Sequence, residues 1–282
     1  MQNAEIERQT KLMTKRGALA HKQRASTLVT YRQTVERVIN EIRDKLGEPL
    51  TLQEIAEMAY LSPFHFNRIF HQITGLPPTQ FLYALRLNEA KRLLLTTDRS
   101  VTDVCFDVGY NSLGTFTTRF THLVGVSPSR LRNMVDHMTP TVINSLLDAR
   151  GREGLAVTSS SSCVSGRVII PTLFSGSIFV GLFQDVIPQG RPVAGTLLIG
   201  HSNFQVGPVP DGCYYLFAAT LPHSTDILGY FLPEASSLLV GVDQSPVIVR
   251  KGRVSRFTEI AMRSLRITDP PILIALPSLL SR

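Results

Sequence analysis

The sequence predicts a multidomain protein in which an all-α region precedes an all-β sandwich. Three observations lead to this fold class. Apolar residues recur at the helical period of 3.6 through the first half, and a pattern of two short helices occurs twice there. Beyond residue 163 the apolar residues follow the alternating pattern of strands. With 282 residues, of which 43% are hydrophobic, the chain is long enough for two or more folded domains.

Residues 1–34 form a basic polar leader in which seven basic residues face two acidic ones. The whole chain carries a net charge of +7, so most of the excess lies here. We predict a disordered or helical leader. A basic arm that adds phosphate contacts and a translation start at Met13 are the alternatives. We find neither an apolar run of bilayer length nor a signal peptide, and therefore expect a cytoplasmic protein without a membrane partner.

The all-α domain is predicted to span residues 35–135. It opens with an amphipathic helix at 34–46, and a short helix at 50–59 and a longer one at 61–75 follow. In the longer helix, Ser62 occupies the N-cap position and Pro63 the first helical position, while Gly75 provides the stop signal. Its apolar stripe falls at i, i+3, i+4 and i+7: Phe66, Ile69, Phe70 and Ile73.

Two short helices joined by a tight turn are typical of a helix-turn-helix, whose second helix presents polar groups to DNA. The polar face of the longer helix holds side chains that can donate to phosphates or read base edges: His65, Asn67, Arg68 and Gln72. The same amphipathic pattern occurs in ordinary helical cores, so this segment alone leaves both interpretations open.

The pattern returns about fifty positions later. Phe66, Phe70, Gly75 and Pro78 correspond to Phe116, Phe120, Gly125 and Pro128. An internal repeat of one supersecondary unit is stronger evidence than either copy alone. Residues 78–95 predict a linking helix that would hold the two units at a fixed distance. Two such recognition helices suit successive major grooves of one DNA site, about 34 Å apart.

Residues from about 35 to 133 resemble the DNA-binding domain of the AraC/XylS family of bacterial transcription regulators. The residues that carry the resemblance are Leu52, Ile55, Ala56, Ser62, Phe66, Arg68, Phe70, Gly75, Pro78, Arg86, Ala90, Leu94, Val101, Val104, Gly109, Tyr110, Phe116, Phe120, Gly125, Pro128 and Arg132. The resemblance implies a sequence-specific DNA-binding transcription regulator with double-stranded DNA and RNA polymerase as partners.

The resemblance also assigns DNA contacts to positions in both recognition helices. The first helix would contribute Phe64, Asn67 and Arg68 to the groove and His71 to a phosphate, with Ser62 and His65 beside them. The second would contribute Gly114, Thr115 and Thr118 to the groove and Thr121 to a phosphate, with Ser112 beside them. Thr118 and Thr121 stand where the family often has Arg and Lys, so we expect the first helix to dominate base reading. Arg119 is either a DNA contact or a solvated charge.

Residues 136–162 predict a helix and a flexible Ser/Gly linker that ends in four consecutive serines. Residues 163–282 predict a β-sandwich, because short β-branched and aromatic runs alternate with turn signals. The runs are 164–170, 176–183, 193–199, 204–206, 213–219, 238–242 and 247–249, with turn signals at 188–190, 210–212 and 251–252. Residues 164–168 and 209–217 loosely resemble strands of transthyretin-like and carboxypeptidase-regulatory-like sandwiches, and a generic Ig-like topology is the alternative.

The sequence shows no Walker-type loop, HExxH motif or nucleophile elbow, so we predict no enzymatic activity, no cofactor and no metal. A catalytic or metal constellation could be drawn from His201 and His223 with Asp211 or Asp226, but their spacing favours solvated loop residues. Some relatives of this family carry a methyl-acceptor cysteine, for which the candidates are Cys163 and Cys213. Neither shows the basic or helix N-terminal setting that activates a thiolate.

Three roles stay open for the C-terminal region. It could be a regulatory module that binds a small-molecule effector or a second protomer and so shifts DNA affinity. It could dock a protein partner while DNA binding locates the complex. An appended enzyme is disfavoured by the motif search. Its aromatic side chains either line a site or fill the core: Phe174, Phe179, Phe183, Tyr214, Tyr215, Phe217 and Tyr230.

Overall fold

The computed structural model describes residues 27–153, 162–171, 174, 176–185, 188–234, 236–243 and 245–275. Most of the basic leader and the serines at 159–161 therefore lie outside the described residues, as does the end of the chain from 276. The first half is helical and the second half is β-rich, as predicted.

Eight helices occupy the described part of the first half. They are α1 (27–44), α2 (Leu52–Met58), α3 (Pro63–Thr74), α4 (Pro78–Thr96), α5 (Val101–Asp107), α6 (Leu113–Val124), α7 (Pro128–His137) and α8 (Pro140–Glu153). The helix pairs α2–α3 and α5–α6 fall on the two copies of the sequence repeat. The predicted linking helix is observed as the single helix α4.

Local sequence signals set the ends of these helices. The hydroxyl groups of Thr51 and Ser100 cap α2 and α5, each within a reciprocal capping box. The hydroxyl groups of Ser62 and Ser112 cap α3 and α6, and both helices end at a glycine in the left-handed region. Gly75 has φ +77° and Gly125 has φ +91°. The predicted start and stop of α3 are thereby confirmed.

The described residues form two compact units. The first comprises 27–45 and Leu50–Thr79, and the second comprises Leu46–Pro49 and the residues from Gln80 onward. In the first unit, the predicted apolar face of α1 is buried, and so are the apolar faces of α2 and α3. The buried side chains are Val35, Val38, Ile39, Ile42, Ile55, Ala56, Phe66, Ile69 and Phe70.

In the second unit, two arginines make the same kind of contact, each with the backbone ahead of one helix pair. Arg86 on α4 donates from Nε to Leu46 O at 3.0 Å and from Nη2 to Glu48 O at 2.6 Å. Arg132 on α7 donates from Nε to Leu94 O at 3.1 Å and from Nη2 to Arg99 O at 2.5 Å. Each guanidinium thus satisfies carbonyl oxygens in the last turn of a helix or just beyond it, where backbone donors are scarce.

The β-rich half contains ten described strands and one short helix. They are β1 (Val164–Ile169), β2 (Gly176–Phe183), β3 (Ala194–Ile199), β4 (Asn203–Val206), β5 (Gly212–Pro222), α9 (Ile227–Phe231), β6 (Leu239–Val242), β7 (Val247–Arg250), β8 (Arg253–Val254), β9 (Thr258–Ala261) and β10 (Arg263–Ser264). The seven predicted runs correspond to strands β1 to β7. The strands β8 to β10 fall within 253–282, where the sequence indicates strand-like pieces without fixing their positions, but the piece expected at 272–276 is not a strand over its described residues 272–275. The helix α9 was not predicted.

These strands form two sheets. A three-stranded sheet has the order β4-β1-β9, in which β1 and β9 run parallel. A seven-stranded antiparallel sheet has the order β10-β6-β5-β2-β3, and the β7–β8 hairpin pairs with the start of β5. One apolar cluster joins side chains of both sheets, including Val168, Phe204, Val180 and Leu216.

The seven-stranded sheet is apolar on its other face as well. Ile178, Val180 and Leu182 of β2 belong to the cluster between the sheets. Phe179 and Phe183 belong to a second cluster, which also contains side chains of α4 to α8. Helix α8 packs near β3. The second helix pair and the β-rich region of this unit therefore share one apolar core.

None of the described helices combines the length and the apolar character that crossing a bilayer requires.

Candidate nucleic-acid interface

Helix α3 exposes one face and buries the other. Its N-cap Ser62 accepts a hydrogen bond from the backbone N–H of His65 at 3.4 Å, and Pro63 starts the first turn. Phe66, Ile69 and Phe70 are buried. The opposite face holds the residues predicted to meet DNA, of which Phe64, Arg68 and His71 are exposed and His65 and Asn67 are half-buried.

Phe64 is the most unusual residue of this face, because 83% of this aromatic side chain is exposed. Phenylalanine is among the residues most often fully buried. Tyr60, in the turn before α3, is 89% exposed and has φ +56°. The guanidinium carbon of Arg37 lies 5.8 Å from its ring centroid. Sequence reasoning did not single out Tyr60, since nothing in its local pattern signals a left-handed conformation.

The ring of His65 is held by a neighbour on α1. It meets the ring of Tyr31 edge-on, with the centroids 5.9 Å apart. His65 is therefore oriented by packing, whereas the side chains of Arg68 and His71 are exposed. The structure thus brings the six predicted residues of the first copy onto the start and the outer face of one short helix.

Helix α6 repeats this design with smaller side chains. Its N-cap Ser112 accepts hydrogen bonds from the backbone N–H of Thr115 at 3.4 Å and from the Thr115 hydroxyl at 3.3 Å. Gly114 is exposed, and a Cβ there would meet only Ser112 Oγ, 3.9 Å away. A partner could therefore approach the backbone closely at Gly114. Thr118 and Thr121 are exposed, and the Thr121 hydroxyl donates to Thr117 O at 2.7 Å.

Arg119 lies beside the exposed row of α6 rather than in it. It is half-buried, and its guanidinium carbon stacks 4.1 Å from the centroid of the Tyr83 ring on α4. The nearby Tyr110 phenol is buried, which raises its pKa, and the guanidinium of Arg119 partly offsets that effect. The packing of Arg119 is thus accounted for within the protein, and its contact with DNA stays a prediction.

The charges on these helices are unevenly distributed. Neither α3 nor α6 contains an acidic residue, while each contains one arginine and one or two histidines. The acidic residues lie on the preceding helices, where Glu54 and Asp103 complete capping boxes. Asp107 on α5 pairs with Arg99 at 2.5 Å. The exposed faces of α3 and α6 are therefore neutral to basic, which suits a polyanion.

The alternative catalytic residues are dispersed over the β-rich region. His201 Nδ1 lies 3.0 Å from Asn203 O, and His223 Nδ1 lies 3.4 Å from Asn144 Oδ1. The carboxylate of Asp226 caps α9 through Leu228 N. In the part of the chain that the structure describes, no group of three His, Cys, Asp or Glu side chains could hold a metal ion. Cys163 is buried before β1.

Comparison with known proteins places the helical region in a family. The family model of a helix-turn-helix domain matches residues 55–134, which run from α2 to α7. The HTH-type transcriptional activator AarP of Providencia stuartii is 30% identical over 98 residues, covering 35% of this chain and 73% of AarP. The chain belongs to the AraC/XylS family of transcription regulators.

Other members of the AraC/XylS family match over a smaller share of their length. The bifunctional transcriptional activator and DNA repair enzyme AdaA of Bacillus subtilis is 33% identical over 98 residues, covering 34% of this chain and 46% of AdaA. The melibiose operon regulatory protein of Escherichia coli is 29% identical over 100 residues, which is 33% of that protein. This chain therefore spans between a third and a half of these relatives.

Among solved structures, the DNA-binding domain of AdpA, a global transcriptional factor, has been determined in complex with a target DNA. It is 32% identical to this chain, covers 35% of this chain and 89% of its own, and has a TM-score of 0.34. The residues that the family model matches end at 134, so the β-rich region of this AraC/XylS member lies beyond them.

Proposed function

We propose that this AraC/XylS member binds double-stranded DNA sequence-specifically and regulates transcription. The pairs α2–α3 and α5–α6 act as two helix-turn-helix units, which α4 links, and α3 and α6 enter successive major grooves of one site. The β-rich region is a β-sandwich through which this activity is modulated. Residues 27–34, which the structure describes as helical, would belong to the first helix of the DNA-binding domain.

The observation that carries the proposal is the shared design of α3 and α6. Each helix is capped by a serine, ends at a left-handed glycine, and buries two phenylalanines four residues apart. Each presents an opposite face that is exposed and free of carboxylates. A buried stripe that positions a carboxylate-free face is what a recognition helix requires.

The side chains of α3 fit direct base reading. An exposed arginine such as Arg68 can donate two N–H hydrogen bonds from its guanidinium to O6 and N7 of guanine, and Asn67 can pair with adenine. Each good bidentate pair supplies about 1–3 kcal/mol of discrimination. Phe64 supplies an apolar surface suited to the methyl group of thymine. His71 lies one turn further along and suits a phosphate contact.

The side chains of α6 fit a different task. Gly114 permits close approach of the backbone, and Thr115 and Thr118 offer short hydroxyl and methyl groups. None of these side chains can make the bidentate contact that arginine makes with guanine. We therefore assign most of the base discrimination to α3 and mainly positioning contacts to α6.

Substitution of Arg68 tests this proposal. A duplex is first selected by the full chain from a random-sequence pool, and its affinity is then measured for the wild type and for Arg68→Ala. The loss of one bidentate contact predicts about 5- to 150-fold weaker binding, with relaxed preference at one base pair. Arg92→Ala is the control, because Arg92 is exposed and paired with Glu89 at 2.6 Å. Equal affinity of Arg68→Ala and wild type would refute the assignment of α3 to the groove.

Modulation through the β-rich region is supported by its contacts with the second helix pair. The backbone N–H of Ala275 donates to Val124 O at the end of α6, and that of Gly190 donates to Leu123 O. A ligand or a second protomer that shifts these segments would act directly on α6. The test is a thermal-shift screen of candidate small molecules, followed by DNA affinity with and without each hit. A stabilising ligand that leaves DNA affinity unchanged would contradict modulation.

The second candidate function is a DNA-located module whose β-rich region docks a protein partner. The observation on which it rests is a single exposed aromatic side chain, that of Phe257 between β8 and β9, which is 63% exposed. Phe257→Ser would then abolish partner recruitment in cells without changing DNA affinity.

A further inference from the structure

The tip of the β7–β8 hairpin carries three basic side chains. Arg250 and Arg253 are exposed and lie directly opposite each other in the hairpin, with Lys251 in the turn between them. Like charges that face each other across two strands destabilise a hairpin. Among the residues that the structure describes, no carboxylate forms an ion pair with any of these three side chains. The tip therefore displays three positive side chains, none of which is neutralised by an ion pair within the described residues.

The turn itself holds Lys251 in an unfavourable backbone conformation. Lys251 has φ +50° and Gly252 has φ +71°, the combination of a two-residue type I′ turn. Asn, Asp or Gly usually occupies the position that Lys251 takes, because other side chains disfavour the left-handed region. Lysine is therefore an unfavourable residue for this backbone conformation, and it carries a positive charge that asparagine would not provide.

Asp211 is the nearest acidic group on the preceding loop, and it is engaged with the backbone. Its carboxylate accepts hydrogen bonds from the N–H of Gly252 at 3.0 Å and from that of Lys251 at 2.6 Å. These two bonds fix the turn relative to the start of β5. Asp243, the other acidic group near this hairpin, pairs with Arg256. The three cations are therefore displayed on a rigid tip.

The strand register places this tip at the end of the seven-stranded sheet from which the loop after β2 runs to α6. Gly212 of β5 pairs with Val249 of β7, and three residues later Tyr215 pairs with Phe183, the last residue of β2. Those three residues span about 10 Å. The loop after β2 leads to Gly190, whose N–H donates to Leu123 O on α6. The basic tip and the C-terminal end of α6 thus belong to the same end of the sheet.

We infer that the β7–β8 hairpin tip binds the phosphate backbone of the DNA next to the segment that α6 occupies. Arg250 and Arg253 would clamp a phosphate group between two guanidinium forks, and Lys251 would add a point charge on the neighbouring phosphate. The contact is electrostatic and reads no bases, so it extends the site without adding specificity. This inference rests on the proposed function of the helix pairs as DNA-binding units.

The test measures how binding of the selected duplex depends on salt, because each lost phosphate contact changes that dependence by a known amount. Fluorescence anisotropy of the labelled duplex between about 50 and 200 mM salt gives the slope of log affinity against log salt. The variants are Arg250→Gln, Arg253→Gln and Lys251→Asn in the full chain. Lys251→Asn is expected to reduce the slope by about 0.9, and each arginine variant by up to about 0.9 because the two arginines share one phosphate. The triple variant is expected to reduce it by up to about 1.8, with base preference unchanged.

Two features of the design separate binding from folding. Asparagine is favoured in the left-handed region, so Lys251→Asn is expected to keep or raise the melting temperature while it weakens DNA binding. Arg266→Gln removes an exposed positive charge at the opposite end of the sheet. Arg266 lies two residues after Ser264, the last residue of β10, which pairs with Leu239 of β6. The N–H of Leu239 donates to the hydroxyl of Thr220, which is near the end of β5. Arg266→Gln is expected to leave the slope unchanged.

The outcomes distinguish this inference from the proposal on which it rests. If the wild type binds the duplex and Arg68→Ala weakens it, but the hairpin variants keep the wild-type slope, only the hairpin assignment fails. If the full chain selects no duplex, both assignments fail. Binding of the same variants to vesicles containing phosphatidylserine is measured in parallel. Hairpin-dependent vesicle binding combined with an unchanged DNA slope would replace DNA with a membrane surface as the partner of this tip.

Discussion

The ammonium group of Lys91 donates a hydrogen bond to the carbonyl oxygen of Ile272, 3.0 Å away. Lys91 lies on α4 and is buried, and Ile272 belongs to the segment that follows the last strand. This segment continues to Ala275, whose N–H donates to Val124 O at the end of α6. A single buried charge therefore lies where the β-rich region meets the helix that links the two helix pairs.

This burial makes the stability of the protein depend on pH. Desolvation lowers the pKa of Lys91 from 10.5 to about 8. Below pH 8 the amine is protonated in the folded and unfolded states, so the desolvation cost is present in full. Between pH 8 and 10.5 the unfolded chain binds a proton that the folded protein has lost, and the free energy of unfolding therefore rises with pH. The expected rise is about 3 kcal/mol, at roughly 1.4 kcal/mol for each pH unit.

Lys91→Met removes this titration, so the difference between the variant and the wild type isolates its effect on stability. The free energy of unfolding is measured by urea denaturation at pH 7, 8, 9 and 10 for both proteins. We expect the variant to be more stable than the wild type at pH 7, because a buried charge is replaced by an apolar chain of similar length, and the difference to shrink as pH rises. Burial raises the pKa values of Tyr110 and Cys105, but both groups are common to the two proteins and cancel. A difference that does not vary with pH would contradict the buried ammonium.

Phe64 and Phe66 provide a matched pair that separates DNA contact from folding. They lie two residues apart on α3, yet Phe64 is 83% exposed and Phe66 is fully buried. Phe64→Ala is expected to change the free energy of unfolding by less than about 0.5 kcal/mol and to weaken binding of the selected duplex. Phe66→Ala is expected to cost about 3–5 kcal/mol of stability. Denaturation and anisotropy on both variants measure the two effects. A Phe64→Ala protein that binds DNA like the wild type would remove this side chain from the interface.

Arg86 and Arg132, which donate to backbone carbonyl groups near helix ends, are expected to contribute differently to stability. Arg86 is 5% exposed and donates to Leu46 O and Glu48 O. Arg86→Ala removes two hydrogen bonds from a charged donor, at roughly 1.5–3 kcal/mol each, and leaves both acceptors without that donor, so we expect a loss of about 3–5 kcal/mol. Arg132 makes the equivalent bonds but is more exposed, so water can replace them in part. Arg132→Ala should therefore cost less when both are compared by chemical denaturation.

Arg92→Ala serves as the control for both substitutions. Its ion pair with Glu89 is solvent-exposed, and such pairs contribute about 0–1 kcal/mol. If Arg86→Ala were no more damaging than Arg92→Ala, the two carbonyl bonds would not stabilise the fold.

The sequence predicts local structure here better than it predicts which surfaces meet. Ser62, Pro63 and Gly75 act on their own helix, so the start and end of α3 follow from neighbouring residues. The alternation in β2 identifies Ile178, Val180 and Leu182 as one buried face. It does not reveal that Phe179 and Phe183 are buried too, because the element that covers a second face is decided by the rest of the chain.

The same limit applies to the C-terminal strands and to Arg119. The parallel pairing of β9 with β1 joins residues more than ninety positions apart, and no local pattern specifies such a partner. Arg119 and Thr118 are sequence neighbours on α6, so the choice of which one faces outward depends on the packing of Arg119 against Tyr83. The exposed face of α3 could be identified in advance because all its members lie on one short helix.

The shared core of the second unit predicts that α6 responds to mutations in the distant C-terminal segment. Ile274 is 2% exposed and belongs to the cluster that contains Phe116 and Phe120 of α6. Ile260 on β9 is equally buried but belongs to the cluster between the two sheets. Each change to alanine deletes the same atoms from an apolar core, so each is expected to cost about 2–5 kcal/mol.

Hydrogen exchange distinguishes these two variants even if they are equally destabilised. In Ile274→Ala, the amides of α6 should lose protection through local opening, because the cavity lies in the core that holds this helix. In Ile260→Ala, protection should fall first in β1 and β9, while the α6 amides should lose only the protection that corresponds to the lower global stability. DNA affinity should fall more in Ile274→Ala, because a frayed α6 must be reordered on binding. Equal loss of α6 protection in both variants would mean that the two clusters open together as one cooperative unit, and that the C-terminal segment has no separate hold on this helix.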